Sequence, residues 1–261
     1  MTLPHATTLL PHWVAHRQRA GCLLVALDFD GTLAPIVPEP EAATILPEAR
    51  AALEQVRRRP DTRVAVVSGR ALADVRSRVG VPDLVYAGNH GLEIEGAGLH
   101  WRHPAAVALR ERLEACGRAL TAALAPLGGV WVEDKGLTLS VHYRRATDPE
   151  AGAKAWEAAQ RACDGGLRLT PGKEVINVVP AVDWDKGNAV RAILDRLDPD
   201  GGRGVWAVFI GDDRTDEDAF RALEGRGDGV LVADRPPPDT AAHAYLPAIQ
   251  EVPALLRALA G

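Results

Sequence analysis

Residues 22–33 read CLLVALDFDGTL: an unbroken apolar run, then two carboxylates separated by one residue, then a glycine. An apolar run without alternation is what a strand needs when both faces of its parallel sheet are covered by helices. Carboxylates that follow directly sit at the strand's carboxyl end, where open α/β sheets bind ligands. Two such groups repel, and one pKa rises unless a cation or a shared proton compensates. Gly31 lets the backbone turn sharply and approach a ligand closely. A solvated Asp-Gly turn closing a strand is the plain alternative. The full run Asp28-Phe29-Asp30-Gly31-Thr32-Leu33 is more specific than a bare Asp-x-Asp.

The flanking sequence extends the pattern in both directions. Pro47–Arg58 has helical spacing, with Ala51, Leu53 and Val56 on one face and Pro47 suited to the first turn. Arg63–Val67 reads as a second buried strand, Ala71–Val79 as a helix and Leu84–Ala87 as a third strand. The same character returns late in the chain: helix Lys186–Leu197, strand Val205–Ile210, helix Thr215–Leu223, strand Gly229–Ala233 and a closing helix Val252–Ala260. This alternation predicts an α/β fold with crossover connections.

The middle differs. Leu92–Trp101 reads as a hairpin turning at Gly96-Ala97-Gly98, and Ala105–Leu124 as one long helix. Strands are expected at Val130–Glu133 and Leu137–Arg144 around Asp134-Lys135-Gly136, a helix at Pro149–Cys163, and a further strand pair, Leu167–Thr170 and Glu174–Val179, around Pro171-Gly172. The expectation is a core built from residues 1–103 and 179–261, with an α+β unit inserted at 104–178. The first twenty or so residues carry no interpretable motif.

Bulk properties narrow the function. The net charge of -5, without a basic stripe, excludes a general nucleic-acid binder. The three cysteines, Cys22, Cys116 and Cys163, are far apart and form no C-x-x-C pair. That argues against a disulfide framework or zinc site and for a reducing compartment. Met1–Gly21 lacks the apolar core of a secretory signal, and Cys22–Leu27 falls far short of the roughly 20 residues that span a bilayer. A cytoplasmic chain without membrane or nucleic-acid partners is expected, as a monomer or weak dimer.

Three further segments carry chemistry. Gly211-Asp212-Asp213-Arg214-Thr215-Asp216-Glu217-Asp218 follows a buried strand. Glu217 and Asp218 suit a helix N-terminus, but Asp212 and Asp213 precede the helix, and hard oxygen donors at a strand end suit Mg2+. Ser68-Gly69-Arg70 ends the second strand and could be merely a helix cap. Lys186 opens a helix, where its charge has the wrong sign for the dipole, so a negative group must lie nearby.

Together these segments resemble the haloacid dehalogenase-like (HAD) phosphotransferases, with Asp28-Phe29-Asp30 as the first motif, Ser68 the second, Lys186 the third, and Gly211-Asp212-Asp213 with Asp216 the fourth. The resemblance implies a Rossmann-like HAD core, its parallel sheet flanked by helices, and an inserted α+β cap. Gly88-Asn89-His90-Gly91-Leu92-Glu93, Val132-Glu133-Asp134-Lys135-Gly136, His142-Tyr143-Arg144 and Gly172-Lys173-Glu174-Val175 further resemble the trehalose-6-phosphate phosphatases, over about residues 24–232. That family implies hydrolysis of trehalose 6-phosphate in trehalose biosynthesis. Asp28 would be the nucleophile and Asp30 the acid–base. Mg2+ would be held by Asp28, the Asp30 carbonyl and Asp212, with Asp213 close by. Lys186, Ser68, Gly69 and Thr32 would bind phosphate, and Asp216 would orient Lys186. The sugar would be read by Glu133, Lys135 and Glu174, with Arg144, Asn89 and His90 as weaker candidates. Taken by itself, Glu133-Asp134-Lys135-Gly136 reads more readily as a polar hairpin turn, and the resemblance reverses that reading. Another sugar phosphate (sucrose phosphate or mannosyl-3-phosphoglycerate), a phosphomutase and a non-catalytic sugar-phosphate sensor remain as alternatives. His100, His103 and His142 lack metal-ligand spacing, and the tryptophans read as packing residues.

Overall fold

Strand β1 owes its central place to composition, since all five of its side chains are buried. The computed structural model describes residues 3–163, 165–172, 174–198 and 204–261. In chain order the first elements are α1 (Leu10–Ala20), β1 (Leu23–Leu27), α2 (Pro47–Arg57), β2 (Thr62–Val67), α3 (Leu72–Val79), β3 (Val85–Gly88), β4 (Glu93–Gly96) and β5 (Leu99–Arg102). Next come α4 (Pro104–Ala108), α5 (Arg110–Leu124), β6 (Trp131–Asp134), β7 (Leu139–His142), α6 (Ala151–Ala162), β8 (Leu167–Gly172) and β9 (Val175–Pro180). The chain ends with α7 (Lys186–Leu197), β10 (Trp206–Gly211), α8 (Asp216–Ala222), β11 (Gly227–Val232), β12 (Ala244–Leu246) and α9 (Val252–Ala260).

Two compact units result, one formed by Met1–Trp101 with Trp184–Gly261, the other by Arg102–Asp183. The second extends past Val178 because β9 runs on to Pro180. In the first unit an eight-stranded sheet has the order β12-β11-β10-β1-β2-β3-β4-β5. The pairs from β12 to β3 are parallel, and the β4–β5 hairpin joins through an antiparallel β3–β4 pair. The chain leaves β1 toward β2 and returns beside it as β10, so β1 and β10 flank a topological switch point.

Strand β1 alternates between two cores. Leu23, Val25 and Leu27 pack with Leu53, Val56 and Leu256, while Leu24 and Ala26 pack with Val190, Ile193 and Phe220. Each such buried side chain stabilises the fold by on the order of 2 kcal/mol. The N-terminal segment, mute in sequence, forms α1. It ends at Gly21, φ 71°, and is anchored by the buried Trp13, whose Nε1 donates to Asp228 at 2.8 Å. Only Trp13 and Arg17 of this helix are buried, so its polar face hid the pattern.

The second unit is a four-stranded sheet, β6-β7-β9-β8, antiparallel throughout. Leu113, Leu120 and Leu124 of α5 and Ala155 and Ala159 of α6 share one apolar cluster with Leu139, Val141 and Val178. The long helix expected over Ala105–Leu124 is instead two helices. Leu109, at φ −92° and ψ 0°, leaves helical geometry, and its N–H bonds to carbonyls three and two residues back, not four. No helix among the described residues is long and apolar enough to cross a membrane.

Candidate active site

The carboxyl ends of β10, β1 and β2 lie side by side and carry the three motif loops. Asp28 continues β1, its N–H donating to Ile210 O at 2.9 Å. Asp28 Oδ1 accepts from Phe29 N at 2.7 Å, and Oδ2 lies 2.9 Å from Lys186 Nζ. Lys186 is only 2% exposed, and its Nζ donates to Asp216 Oδ1 at 2.7 Å. Asp185 caps α7 by accepting from Asn188 N, which fixes Lys186 in the first turn. The two carboxylates supply the negative charge that its position required.

Asp216, at the start of α8, is fully buried. Its Oδ2 accepts from the backbone N–H groups of Asp212 (2.9 Å) and Asp213 (3.0 Å), and this pins the loop after β10. Oxygens of Asp28, Asp212 and Asp216 lie within 4.8 Å of one another. Asp213 is not in that group, since its Oδ1 turns back to accept from Thr215 N and Oγ1. Asp212 Oδ1 is buried with no hydrogen-bond partner among the described residues. Gly31, at φ +80°, makes the approach possible, because a side-chain carbon there would collide with the Asp212 carboxylate.

The electrostatics follow from this crowding. Burial, then the charges of Asp216 and Asp213, push Asp212 up to about 7. Burial also drives Asp28 well above the usual carboxylate range, against the pull of Lys186. For Lys186, burial works toward a lower pKa but is outweighed by Asp216, Asp28 and Asp213, so the ammonium stays charged. Asp213 is held low: burial opposes, while Lys186 and the Thr215 hydrogen bonds prevail.

Asp30 makes a bidentate pair with Arg70, Nε to Oδ2 at 2.7 Å and Nη2 to Oδ1 at 2.8 Å. Arg70 also donates to Asp74 (2.9 Å) and to Pro40 O (2.8 Å). Sequence reasoning assigned no role to Arg70; the signal was its place as the third member of Ser68-Gly69-Arg70. Thr32 is fully buried in the loop after β1, and its Oγ1 has no hydrogen-bond partner among the described residues. Buried Ser68 accepts at Oγ from Arg70 N, 3.2 Å.

The turn after β3 packs onto this loop, with His90 N donating to Ser68 O and Asn89 N to Arg70 O. Asn89 and His90 are both left-handed, at φ 52° and 57°. Two successive non-glycine residues in that region hold strain, which concentrates at functional sites. The His90 ring covers Gly69, where a side-chain carbon would lie 2.6 Å from it. Asn89 is buried and donates from Nδ2 to Glu93 at 3.0 Å. Trp101 and Trp184 pack on each other at 4.7 Å between ring centroids.

In the second unit the remaining candidates form two groups. Glu133 Oε2 lies 2.8 Å from His142 Nε2 and 3.7 Å from Lys135 Nζ. His142 is buried and stacks on Trp131 at 4.7 Å. It therefore orients Glu133, a role that its sequence context did not reveal. Arg144 Nε donates to Glu174 Oε2 at 2.8 Å. Lys173 lies outside the described residues. His103 caps α4.

A family model described as trehalose-phosphatase matches residues 26–239. A trehalose-phosphate phosphatase of Mycobacterium marinum is 41% identical over 209 residues, covering 80% of this chain and 53% of that protein. The chain thus spans about half the length of the curated relatives it matches. The C-terminal domain of Candida albicans trehalose-6-phosphate phosphatase superposes with a TM-score of 0.75 at 24% identity, covering 100% of this chain and 99% of that one. A haloacid dehalogenase-like hydrolase from Bacteroides thetaiotaomicron superposes with a TM-score of 0.62 at 17% identity, covering 90% of this chain and 98% of that one. The fold is therefore the HAD-like α/β fold, and the match across most of the chain shows that it belongs to the trehalose-phosphatase family.

Proposed function

We propose that the chain hydrolyses trehalose 6-phosphate to trehalose and phosphate, with Asp28 as nucleophile, as a Mg2+-dependent cytoplasmic enzyme. The observation that carries the chemistry is the buried Asp28–Lys186–Asp216 chain, with contacts of 2.9 and 2.7 Å, at the switch point of the sheet. The substrate rests on family membership and on the relatives' names.

Phosphate monoesters hydrolyse extremely slowly without catalysis, and covalent catalysis divides the barrier into two steps. An Asp28 oxygen attacks phosphorus in line with the sugar oxygen, forming an aspartyl-phosphate as the P–O bond to the sugar breaks. Asp30 delivers a proton to the departing alkoxide, then takes one from the water that attacks the acyl phosphate. Both Asp30 oxygens accept from Arg70 in this structure, so the carboxyl takes up the proton it delivers when that pair opens. Lys186 and the Ser68 and Thr32 hydroxyls bind phosphoryl oxygens, and preorganised donors of this kind act strongly in a buried site.

The donor set fits a hard divalent cation. Asp28 and Asp212 are clustered carboxylates, and the buried Asp212 Oδ1 is left without a partner among the described residues. Asp28, Asp212 and the Asp30 carbonyl would hold Mg2+, with Asp213 close by; when bound it supplies charge neutralisation between carboxylate and phosphate dianion. Glu133, Lys135, Arg144 and Glu174 of the second unit are charged hydrogen-bonding groups of the kind that a hydroxyl-covered disaccharide requires; Asn89 and His90, in the first unit, are the weaker candidates.

Phosphate release from a panel of sugar phosphates tests the reading. Clear preference for trehalose 6-phosphate is expected. Equal turnover of sucrose phosphate would overturn the substrate, and an isomerised sugar phosphate in place of inorganic phosphate would overturn the reaction. Glu133→Ala should impair trehalose 6-phosphate hydrolysis far more than hydrolysis of a small aryl phosphate, whereas equal losses would remove Glu133 from sugar recognition.

A further inference from the structure

Two of the three cysteines, forty-seven positions apart in sequence, meet within the second unit, Cys116 Sγ lying 3.0 Å from Cys163 Sγ. No disulfide joins the two sulfurs. A disulfide bond is ~2.05 Å long, so the sulfurs need to close only about 1 Å to reach it. Cys116 sits on the buried face of α5 with Leu113 and Leu120, and is 3% exposed. Cys163 caps the C-terminus of α6, its N–H donating to Ala159 O, and is partly exposed. A thiol on an apolar helix face usually serves as a small hydrophobe. That role does not call for a second cysteine at the end of the neighbouring helix with its sulfur in contact, in a residue only partly buried.

We propose that Cys116 and Cys163 form a reversible dithiol–disulfide couple that exchanges with low-molecular-weight or protein disulfides. Cys163, the less buried of the two, reacts first: its thiolate attacks one sulfur of the oxidant, giving a mixed disulfide and releasing one oxidant thiolate. The Cys116 thiolate then attacks Cys163 Sγ, closing the internal bond and expelling the second oxidant thiolate. The two cysteine protons pass to the released thiolates, and two electrons pass from the protein pair to the oxidant. The internal bond joins α5 to the end of α6 and closes a ring that contains Glu133, Lys135, His142 and Arg144. Closing a long loop restricts the unfolded chain, so the oxidised unit gains stability. Neither sulfur belongs to the proposed hydrolytic chemistry, so this couple stands or falls independently of that function.

The test uses the full chain, incubated with oxidised glutathione under native conditions and mapped by mass spectrometry without reduction. The expected product is a peptide linked through Cys116 and Cys163, with Cys22 still titratable and the link removed by dithiothreitol. Its formation should raise the unfolding temperature of the second unit by on the order of 10 °C. Cys116→Ser should stop at a glutathione adduct on Cys163, because no second thiol remains to resolve it. The wild-type mapping stands without that variant. A stable glutathione adduct on wild-type Cys163, three thiols still free after oxidation, or a link that forms only in denaturant would each overturn the proposal.

Discussion

Replacing Asp216 by Asn tests whether one buried carboxylate holds the site together. Asp216 Oδ1 takes the Lys186 ammonium at 2.7 Å, and Oδ2 takes two backbone N–H groups. The Asn oxygen can keep the backbone bonds, but its NH2 then faces the ammonium, donor against donor. Removing one partner of a buried ion pair costs about 3–5 kcal/mol. Relief of like-charge repulsion opposes this loss. Asp212 sits at about 7 against the ordinary 3.8, with burial the first cause and Asp216 the second. At about 1.4 kcal/mol per tenfold, the net of all causes is on the order of 4 kcal/mol, and the Asp216 charge contributes a part of it smaller than that of burial. The expected net destabilisation is on the order of 2 kcal/mol, below the full loss of about 3–5 kcal/mol and still a large part of an ordinary domain's margin. Asp216→Ala also orphans the two N–H groups and should lose about 1–3 kcal/mol more. Urea unfolding followed by tryptophan fluorescence measures both variants. A double-mutant cycle with Lys186→Met isolates the pair, whose coupling should exceed about 1 kcal/mol. An Asn variant within about 0.5 kcal/mol of the wild type and undiminished in kcat would refute the reasoning.

Three other perturbations separate the roles. Asp30→Asn should lower kcat by roughly 10²–10⁴ while sparing Mg2+ affinity, because the proposed metal contact there is the backbone carbonyl; a parallel loss of Mg2+ binding would contradict this. Gly31→Ala should weaken Mg2+ binding through collision with Asp212, besides about 1–2 kcal/mol of left-handed strain. Gly21→Ala, at φ +71° in open space, should show the strain alone in the same denaturant and titration measurements. With Asp212 at about 7, protons compete with the ion below that pH, so Mg2+ affinity should rise as pH climbs toward 7 and then level. Calorimetry in buffers of different ionisation enthalpy should detect proton release at pH ~6 that fades by pH ~8, and release growing with pH would refute the assignment.

What the sequence disclosed and what it hid divide along physical lines. The run before Asp28 announced itself because burial on both faces permits no polar residue, and Asp28, Lys186 and Asp212 were legible because their charges are costly unless they meet. Lys186 was the clearest case, since a cation against a helix dipole demands a nearby anion. The contacts that escaped notice are ones that ordinary residues make at long range. Arg70 reaches Asp30 across forty positions, and Trp13 reaches Asp228 across 215. His142 looks like any strand histidine until Glu133 is found beside it. The break at Leu109 has no glycine or proline to mark it. Local pattern reports burial and backbone preference; it does not report which of many arginines or histidines finds a distant carboxylate.

The charge around Lys186 argues for a cation without appeal to any relative. Four carboxylates, Asp28, Asp212, Asp213 and Asp216, act on a single ammonium or on one another. Three have internal compensation: Asp28 receives Phe29 N and Lys186, Asp213 receives Thr215, and Asp216 receives Lys186 and two backbone N–H groups. Asp212 alone keeps a buried oxygen with no partner among the described residues, and it is also the carboxylate pushed to about 7. A protein holds such an atom at a cost of about 1–3 kcal/mol or more. Gly31, at φ +80°, is what admits it against the loop after β1. A larger residue there would collide with the Asp212 carboxylate and exclude it, so the fold retains an expensive arrangement whose natural complement is a small, hard, positive charge beside Asp28.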